Sequence, residues 1–260
     1  MRLHSPITPA FFSFALSFVA LVSGFARQTP EVQVDLANHQ FSIGDLLQMR
    51  HIGLSEPSLI HALKNPDPEV RWLAAVKLQE DKAVEAIPEV RQALAVEKTP
   101  RARVNISVAL GLLGDPGGRD ELKKLCADGS FPPEFRLYAV AYMFDLGVKR
   151  DEGCLHVAEQ MVQIVDADYR TIGYRSKALE LLPRFRGLTS EESQQVFQLV
   201  AGRLNDPEPT VRMQAAQSLV ALENAAAIPY LETAIAKEQQ EAVRPALEED
   251  LRKLQEIGKR

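Results

Sequence analysis

Two stretches of the chain are near copies of one another. Leu63-Lys64-Asn65-Pro66-Asp67-Pro68-Glu69-Val70-Arg71 aligns without a gap on Leu204-Asn205-Asp206-Pro207-Glu208-Pro209-Thr210-Val211-Arg212. The alignment continues past the arginines, where Ala74, Ala75 and Leu78 match Ala215, Ala216 and Leu219. Further along the chain, Ala86-Ile87-Pro88-Glu89-Val90 matches Ala227-Ile228-Pro229-Tyr230-Leu231. Self-similarity of this kind constrains the fold more than composition does. A repeated helical unit buries its apolar faces only by stacking against further copies of itself.

Arginines index the copies: Arg71, Arg103, Arg136, Arg175, Arg212 and Arg244, spaced by 32, 33, 39, 37 and 32 residues. One place before each stand Val70, Ala102, Phe135, Tyr174, Val211 and Val243. Three places after stand Ala74, Ile106, Ala139, Ala178, Ala215 and Leu247, and seven places after stand Leu78, Leu110, Met143, Leu182, Leu219 and Leu251. Offsets −1, +3 and +7 share one face of a helix. Small residues such as Ala75 and Ser107 at the fourth place let a neighbouring helix come close. Gly114 and Gly147, eleven places after their arginines, suit the left-handed residue that ends a helix. Pro88 and Pro229 suit the first turn of a second helix, where a missing N–H costs little. Pro68 and Pro209 suit the start of first helices, with Asp67 and Glu208 just ahead of them. The spacing thus predicts helical hairpins from residue 42 onward. Ser42 to Ile52 and Glu56 to Lys64 read as an opening hairpin, and a polar closing helix starts near Val243 or bends there, because Pro245 does not fit a start as early as in other copies.

The pattern Asp-Pro-x-Val-Arg, then Ala-Ala-x-x-Leu, then Ala-x-Pro-x-Leu resembles HEAT repeats, especially the short bacterial kind also found in phycobilisome lyases. It covers about residues 42 to 256 and is clearest at Arg71 and Arg212. The copies at Arg136 and Arg175 lack the Asp-Pro start and the second-helix proline, and their longer spacing implies a change of curvature there. The resemblance implies an all-α fold, an α–α superhelix (alpha solenoid) of about five to six stacked helical hairpins over residues 42–260. It further implies that the repeated arginines support packing between neighbouring hairpins. That role passes to Arg71, Arg103, Arg212 and Arg244, and by position to Arg136 and Arg175.

Residues 1–26 read as an address and not as part of this fold. Arg2 and His4 precede an apolar run from Ala10 to Val22, and Ser23-Gly24-Phe25-Ala26 offers small residues at the two positions that a signal peptidase reads. A secretory signal cleaved after Ala26 is expected, since the run is short for a membrane span of about 20 residues. The mature chain would then be periplasmic or secreted, without stable membrane insertion. Residues 27–41 read as an extended lead-in, although Glu31 to Leu36 alternates as a strand would.

Net charge is −5, so no basic field points to nucleic acid. The histidines and carboxylates form no convincing metal-ligand or catalytic spacing, and no cofactor is expected. Gly111-Leu112-Leu113-Gly114-Asp115-Pro116-Gly117-Gly118 lacks the Lys-Ser/Thr of a phosphate loop and falls at a turn between helices. Cys126 and Cys154 sit at different repeat offsets, about 7 Å apart along the helix axis by rise alone, and are expected as two buried thiols, with a disulfide the alternative that an oxidising compartment allows.

These features point to an exported, non-enzymatic scaffold binding a protein or peptide along a concave face of second helices. Glu89, Gln92, Lys123, Glu159, Gln163, Gln195 and Gln198 are candidate polar residues there. Tyr138 and Tyr142, an i, i+4 pair on a normally polar face, either pack locally against the irregular neighbouring repeat or anchor a partner. Trp72 either covers the opening hairpin or anchors a partner. The rival reading is a phycobilisome-lyase-like enzyme or chromophore-handling protein, such proteins attaching a bilin.

Overall fold

The computed structural model describes residues 41–166 and 168–259. The expected leader, and all of the lead-in but Phe41, lie outside the described residues. The described residues fold into thirteen α-helices, with no strand among them. They pair as α1 (Ile43–Gln48) with α2 (Glu56–Ala62), α3 (Pro68–Glu80) with α4 (Ile87–Val96), and α5 (Pro100–Leu112) with α6 (Pro116–Ala127). Then come α7 (Pro133–Asp145) with α8 (Glu152–Gln163), α9 (Tyr169–Leu181) with α10 (Ser190–Gly202), and α11 (Pro209–Ala221) with α12 (Ile228–Lys237). The single helix α13 (Arg244–Ile257) closes the stack, with Pro245 in its first turn. The architecture is an all-α solenoid of six hairpins and a closing helix.

The sequence sets the helix limits through its caps. Asp67, Asp115 and Asp168 each accept an N–H from the first turn of the next helix, at 2.8, 2.7 and 3.1 Å. Ser42 and Thr189 form reciprocal capping boxes with Asp45 and Glu192. Gly114 ends α5 with φ 102°, a conformation that side chains disfavour. Gly118 meets a different demand. A Cβ there would lie 2.3 Å from the Ser107 carbonyl oxygen, so the backbones of α5 and α6 touch at this point. The glycines of this stretch thus serve a helix–turn–helix junction.

First helices of successive hairpins stack on one another: α3 on α5, α5 on α7, α7 on α9, α9 on α11 and α11 on α13. Each therefore needs two apolar faces. In α5, Ala102, Ile106 and Leu110 join the core of the preceding hairpins, while Val104 and Val108 join the core of the following ones. Offsets −1, +3 and +7 face back along the solenoid, and +1 and +5 face forward. Trp72 stands at +1, and this settles its surroundings: it is only 5% exposed, with the Arg101 guanidinium of the next hairpin 5.2 Å over its ring. It is not a surface anchor, and it shares one buried core with Ile43, Leu47 and Leu59 of the opening hairpin as well as with the next hairpin.

The expectation of two buried thiols fails. Cys126 and Cys154 form a disulfide with an S–S distance of 2.13 Å and Cα atoms 4.8 Å apart. The axial estimate assumed that second helices keep one register from copy to copy. Here the first turn of α8 sits beside the last turn of α6. A Cβ on Gly153 would lie 3.3 Å from that of Ala127, and Cys126 and Cys154 occupy those two turns.

Candidate functional site: two matched grooves between second helices

The repeat arginines tie the stack together at its loops. Arg71 Nε and Nη2 donate to the two carboxylate oxygens of Glu97 at 2.6 and 2.8 Å, and Nη1 donates to the carbonyls of Asn65 and Pro66 at 2.8 and 2.9 Å. Arg212 repeats this atom for atom. Its Nε and Nη2 reach Glu238 at 2.8 and 2.9 Å, and its Nη1 reaches the carbonyls of Asp206 and Pro207, both at 2.9 Å. The carboxylates are themselves fixed by backbone amides: Lys98 and Thr99 donate to Glu97, and Gln240 donates to Glu238. Burial works to raise the Glu97 carboxyl, yet the Arg71 hydrogen bonds and the two amides outweigh it and hold the group below its ordinary value. The Glu238 carboxyl is lowered chiefly by its hydrogen bonds to Arg212, against some burial.

Other copies vary the clamp. Arg103 Nε donates to Glu121 at 2.7 Å. Arg136 gives both Nε and Nη2 to the carbonyl of Cys126, at 3.0 and 2.9 Å. Arg175, 1% exposed, donates to the carbonyls of Ile164 and Asp166 at 3.1 and 2.7 Å and pairs with Asp206 at 3.3 Å. Arg244 donates to the carbonyls of Ile235 and Glu238. In the last three, the arginine of one hairpin satisfies carbonyls that end the second helix of the hairpin before it. These are groups that helix geometry leaves without partners.

The clamps floor two grooves. The first, of about 550 Å³, lies between α2 and α4. Ile60, Leu63, Ala93 and Val96 give it apolar walls, Arg71 and Glu97 its floor, and Lys64, Gln92, Lys98 and Thr99 a polar rim. The second lies between α10 and α12 as two adjoining hollows of about 330 and 360 Å³. Its lining is the first groove's lining at matching repeat positions. Leu204, Ala234, Arg212 and Glu238 keep the types of Leu63, Ala93, Arg71 and Glu97, and Thr233 stands where Gln92 stood. Between these two places the second helices meet directly, α6 on α8 with the disulfide across them and α8 on α10.

Of the polar residues expected along the second helices, Glu89 and Gln92 line the first groove. Gln198 donates to the Tyr230 hydroxyl at 3.4 Å beside the second. Lys123, Glu159, Gln163 and Gln195 sit on α6, α8 and α10 and line neither groove. Tyr138 and Tyr142 project from α7 and are half-buried against the central core. Tyr138 meets the Phe135 ring edge to face at 6.0 Å. Burial pushes both phenols up; Asp145 adds to this at Tyr142, while Arg101 works against it at Tyr138. Tyr174 on α9 donates to Glu134 at 3.3 Å, and burial with that carboxylate pushes it up to about 12.

Glu97 and Glu238 escaped the sequence reading. Each stands 26 places after its arginine, in the tail beyond the aligned second helix. That shared separation was the available signal. Among the described residues no group of three or more histidines, cysteines or carboxylates could hold a metal ion, and no helix is long and apolar enough to cross a membrane.

The stacked hairpins, arginine clamps and matched grooves define an α-solenoid repeat protein. A family model for HEAT repeats matches residues 56–141 and 167–252, and the chain belongs to that family. No curated protein matches the chain. Among solved structures, an engineered protein is 15% identical with a TM-score of 0.45, over 78% of this chain and 99% of that one. A second engineered protein is 17% identical with a TM-score of 0.42, over 76% and 57%. Human deoxyhypusine hydroxylase in complex with glycerol is 18% identical with a TM-score of 0.31, over 82% and 89%.

Proposed function

We propose that this protein is an exported, non-enzymatic scaffold that binds a protein or peptide in the grooves between its second helices. One observation carries the reading: the same groove, with the same arginine–glutamate floor, occurs at two places in the stack. Side chains from two hairpins converge on each groove, so its shape depends on the stacking that the repeat provides. Export rests on the apolar leader ending in Ser23-Gly24-Phe25-Ala26. The paired cysteines also support it, because disulfides persist in oxidising compartments and are rare in reducing ones.

The test is affinity capture of the mature protein from its own envelope fraction, read by mass spectrometry, beside a Gln92→Trp/Thr233→Trp variant. Both residues are exposed on groove walls, so the indoles fill the grooves without entering the core. Partners held by the parent and lost by the variant support the reading. Equal capture by both refutes groove binding. N-terminal sequencing should begin at Arg27, and protein retained in membranes with Met1 would refute export.

A further inference from the structure

We propose that both grooves take one class of ligand, an acidic peptide segment with an apolar side chain. The inference rests on the scaffold reading above and specifies its partner. Charge complementarity identifies the ligand. In each groove the lining carboxylates other than Glu89 are withdrawn from a ligand. Glu97 and Glu238 have side chains 0% and 4% exposed and are held by Arg71 and Arg212. Asp206, 1% exposed, lies between Arg175 and Arg203. Glu89 is the remaining acid of the first groove, and its Oε2 is sealed from solvent without a hydrogen-bond partner.

The cations are placed the other way. Lys64 and Lys98 stand exposed on the rim of the first groove, and Lys237 on that of the second. Among the described residues, none pairs with these three ammonium groups in a salt bridge or side-chain hydrogen bond. A chain of net charge −5 thus presents, at two equivalent places, free positive charge beside apolar wall. Val96, 72% exposed on the wall of the first groove, and Tyr230, half-covered beside the second, are large apolar surfaces left in water. A ligand side chain that covers them gains by burial. Carboxylates flanking it meet unpaired lysines, which steer encounter and select against basic partners. The repeat positions differ between the grooves, and the second has one rim lysine where the first has two. Lys64 and Lys98 give way to Asn205 and Gln239, while Val96 gives way to Lys237.

The experiment pans a phage-displayed library of random 12-residue peptides on the mature, disulfide-bonded protein. It then measures synthetic copies of the enriched peptides by fluorescence anisotropy. Two variants accompany the parent: Gln92→Trp/Thr233→Trp, and Lys64→Glu/Lys98→Glu/Lys237→Glu. Both alter exposed positions only, and far-UV circular dichroism and melting establish that they fold. Enriched peptides should be net negative with leucine, isoleucine, valine or phenylalanine. Their affinity should fall at least tenfold on charge reversal and weaken as salt rises. Neutral or basic peptides that the tryptophans nonetheless displace would overturn the acidic class and leave the scaffold reading intact. Peptides that bind the tryptophan variant as they bind the parent, or no enrichment at all, would overturn both.

Discussion

Replacing Arg212 by alanine is the sharpest test of the clamp. The substitution removes two hydrogen bonds to Glu238, at 2.8 and 2.9 Å, and two more to the carbonyls of Asp206 and Pro207. The Pro207 carbonyl lies in the open, so its loss costs little, while the Asp206 carbonyl is partly covered and loses somewhat more. The carboxylate is the expensive part. Glu238 is 4% exposed at its side chain and would keep the Gln240 amide at 2.9 Å in place of a cation. Breaking a buried pair from one side costs about 3–5 kcal/mol, because a charge stays behind without its partner. Arg212 itself is 13% exposed, so the vacated space admits some water, and the lower end, about 3 kcal/mol, is expected. With a urea m-value of about 3 kcal/mol/M, the unfolding midpoint should drop by roughly 1 M. Removing Glu238 as well takes away the stranded charge. Arg212→Ala/Glu238→Ala should therefore recover more than half of the loss, which is the coupling that a double-mutant cycle reads. An unchanged midpoint for the single variant would reduce the clamp to a surface charge. A double variant no better than the single would show that Glu238 was never stranded.

The same geometry sets three further outcomes. Arg212 lowers the folded-state value of the Glu238 carboxyl, so its contribution is present above the unfolded value of about 4.3 and is lost as pH falls through the folded one. The midpoint gap between parent and Glu238→Gln should accordingly shrink below about pH 4, and a gap constant from neutral to acid pH would count against the clamp. The disulfide joins residues with a sequence separation of 28, and Cys126→Ala/Cys154→Ala should lose about 3–4 kcal/mol by the loop-entropy relation. Thiol titration of unfolded, unreduced parent that finds two free thiols would refute the bond itself. Gly118→Ala should cost about 1–3 kcal/mol by forcing α5 from α6, against a Cβ contact of 2.3 Å, and a melting temperature equal to the parent's would refute the close approach.

Most of the fold was legible because the repeat writes each instruction several times. Offsets −1, +3 and +7 from the arginines named the backward face of the first helices, and Pro68, Pro88, Pro209 and Pro229 marked helix starts. What stayed hidden depends on register between helices. The Cys126–Cys154 contact needs the axial shift of α8 against α6, and no periodicity within either helix encodes that. Trp72 was only half legible for a related reason. At offset +1 it faces the next hairpin, a direction assigned only once the stacking of α3 on α5 is known. The grooves were half legible. Glu89 and Gln92 were picked out, but the acids that floor both grooves come after the second helices, where the aligned pattern had already faded.

The irregular central copies bear on where recognition sits. Departure from a consensus invites the reading that a partner docks there, and the aromatic pair Tyr138 and Tyr142 lies in that region. The geometry offers another reason for the departures. The copy at Arg136 replaces the carboxylate clamp; its guanidinium takes the carbonyl of Cys126 instead, and that residue is bonded to Cys154. The copy at Arg175 reaches forward to Asp206, which belongs to the loop that Arg212 clamps. Each lost clamp is thus replaced by another link between neighbouring hairpins. These links accompany direct packing of α6, α8 and α10, in place of an open groove of the α2–α4 kind. Irregularity here goes with closing the second-helix layer, and the copies nearest the consensus are the ones that leave it open. Substitutions on the walls of the first groove should therefore change partner capture more than Tyr138→Ala/Tyr142→Ala does, with both variants compared at matched melting temperature. Loss of every partner in the tyrosine variant alone would reverse that order and return recognition to the middle of the stack.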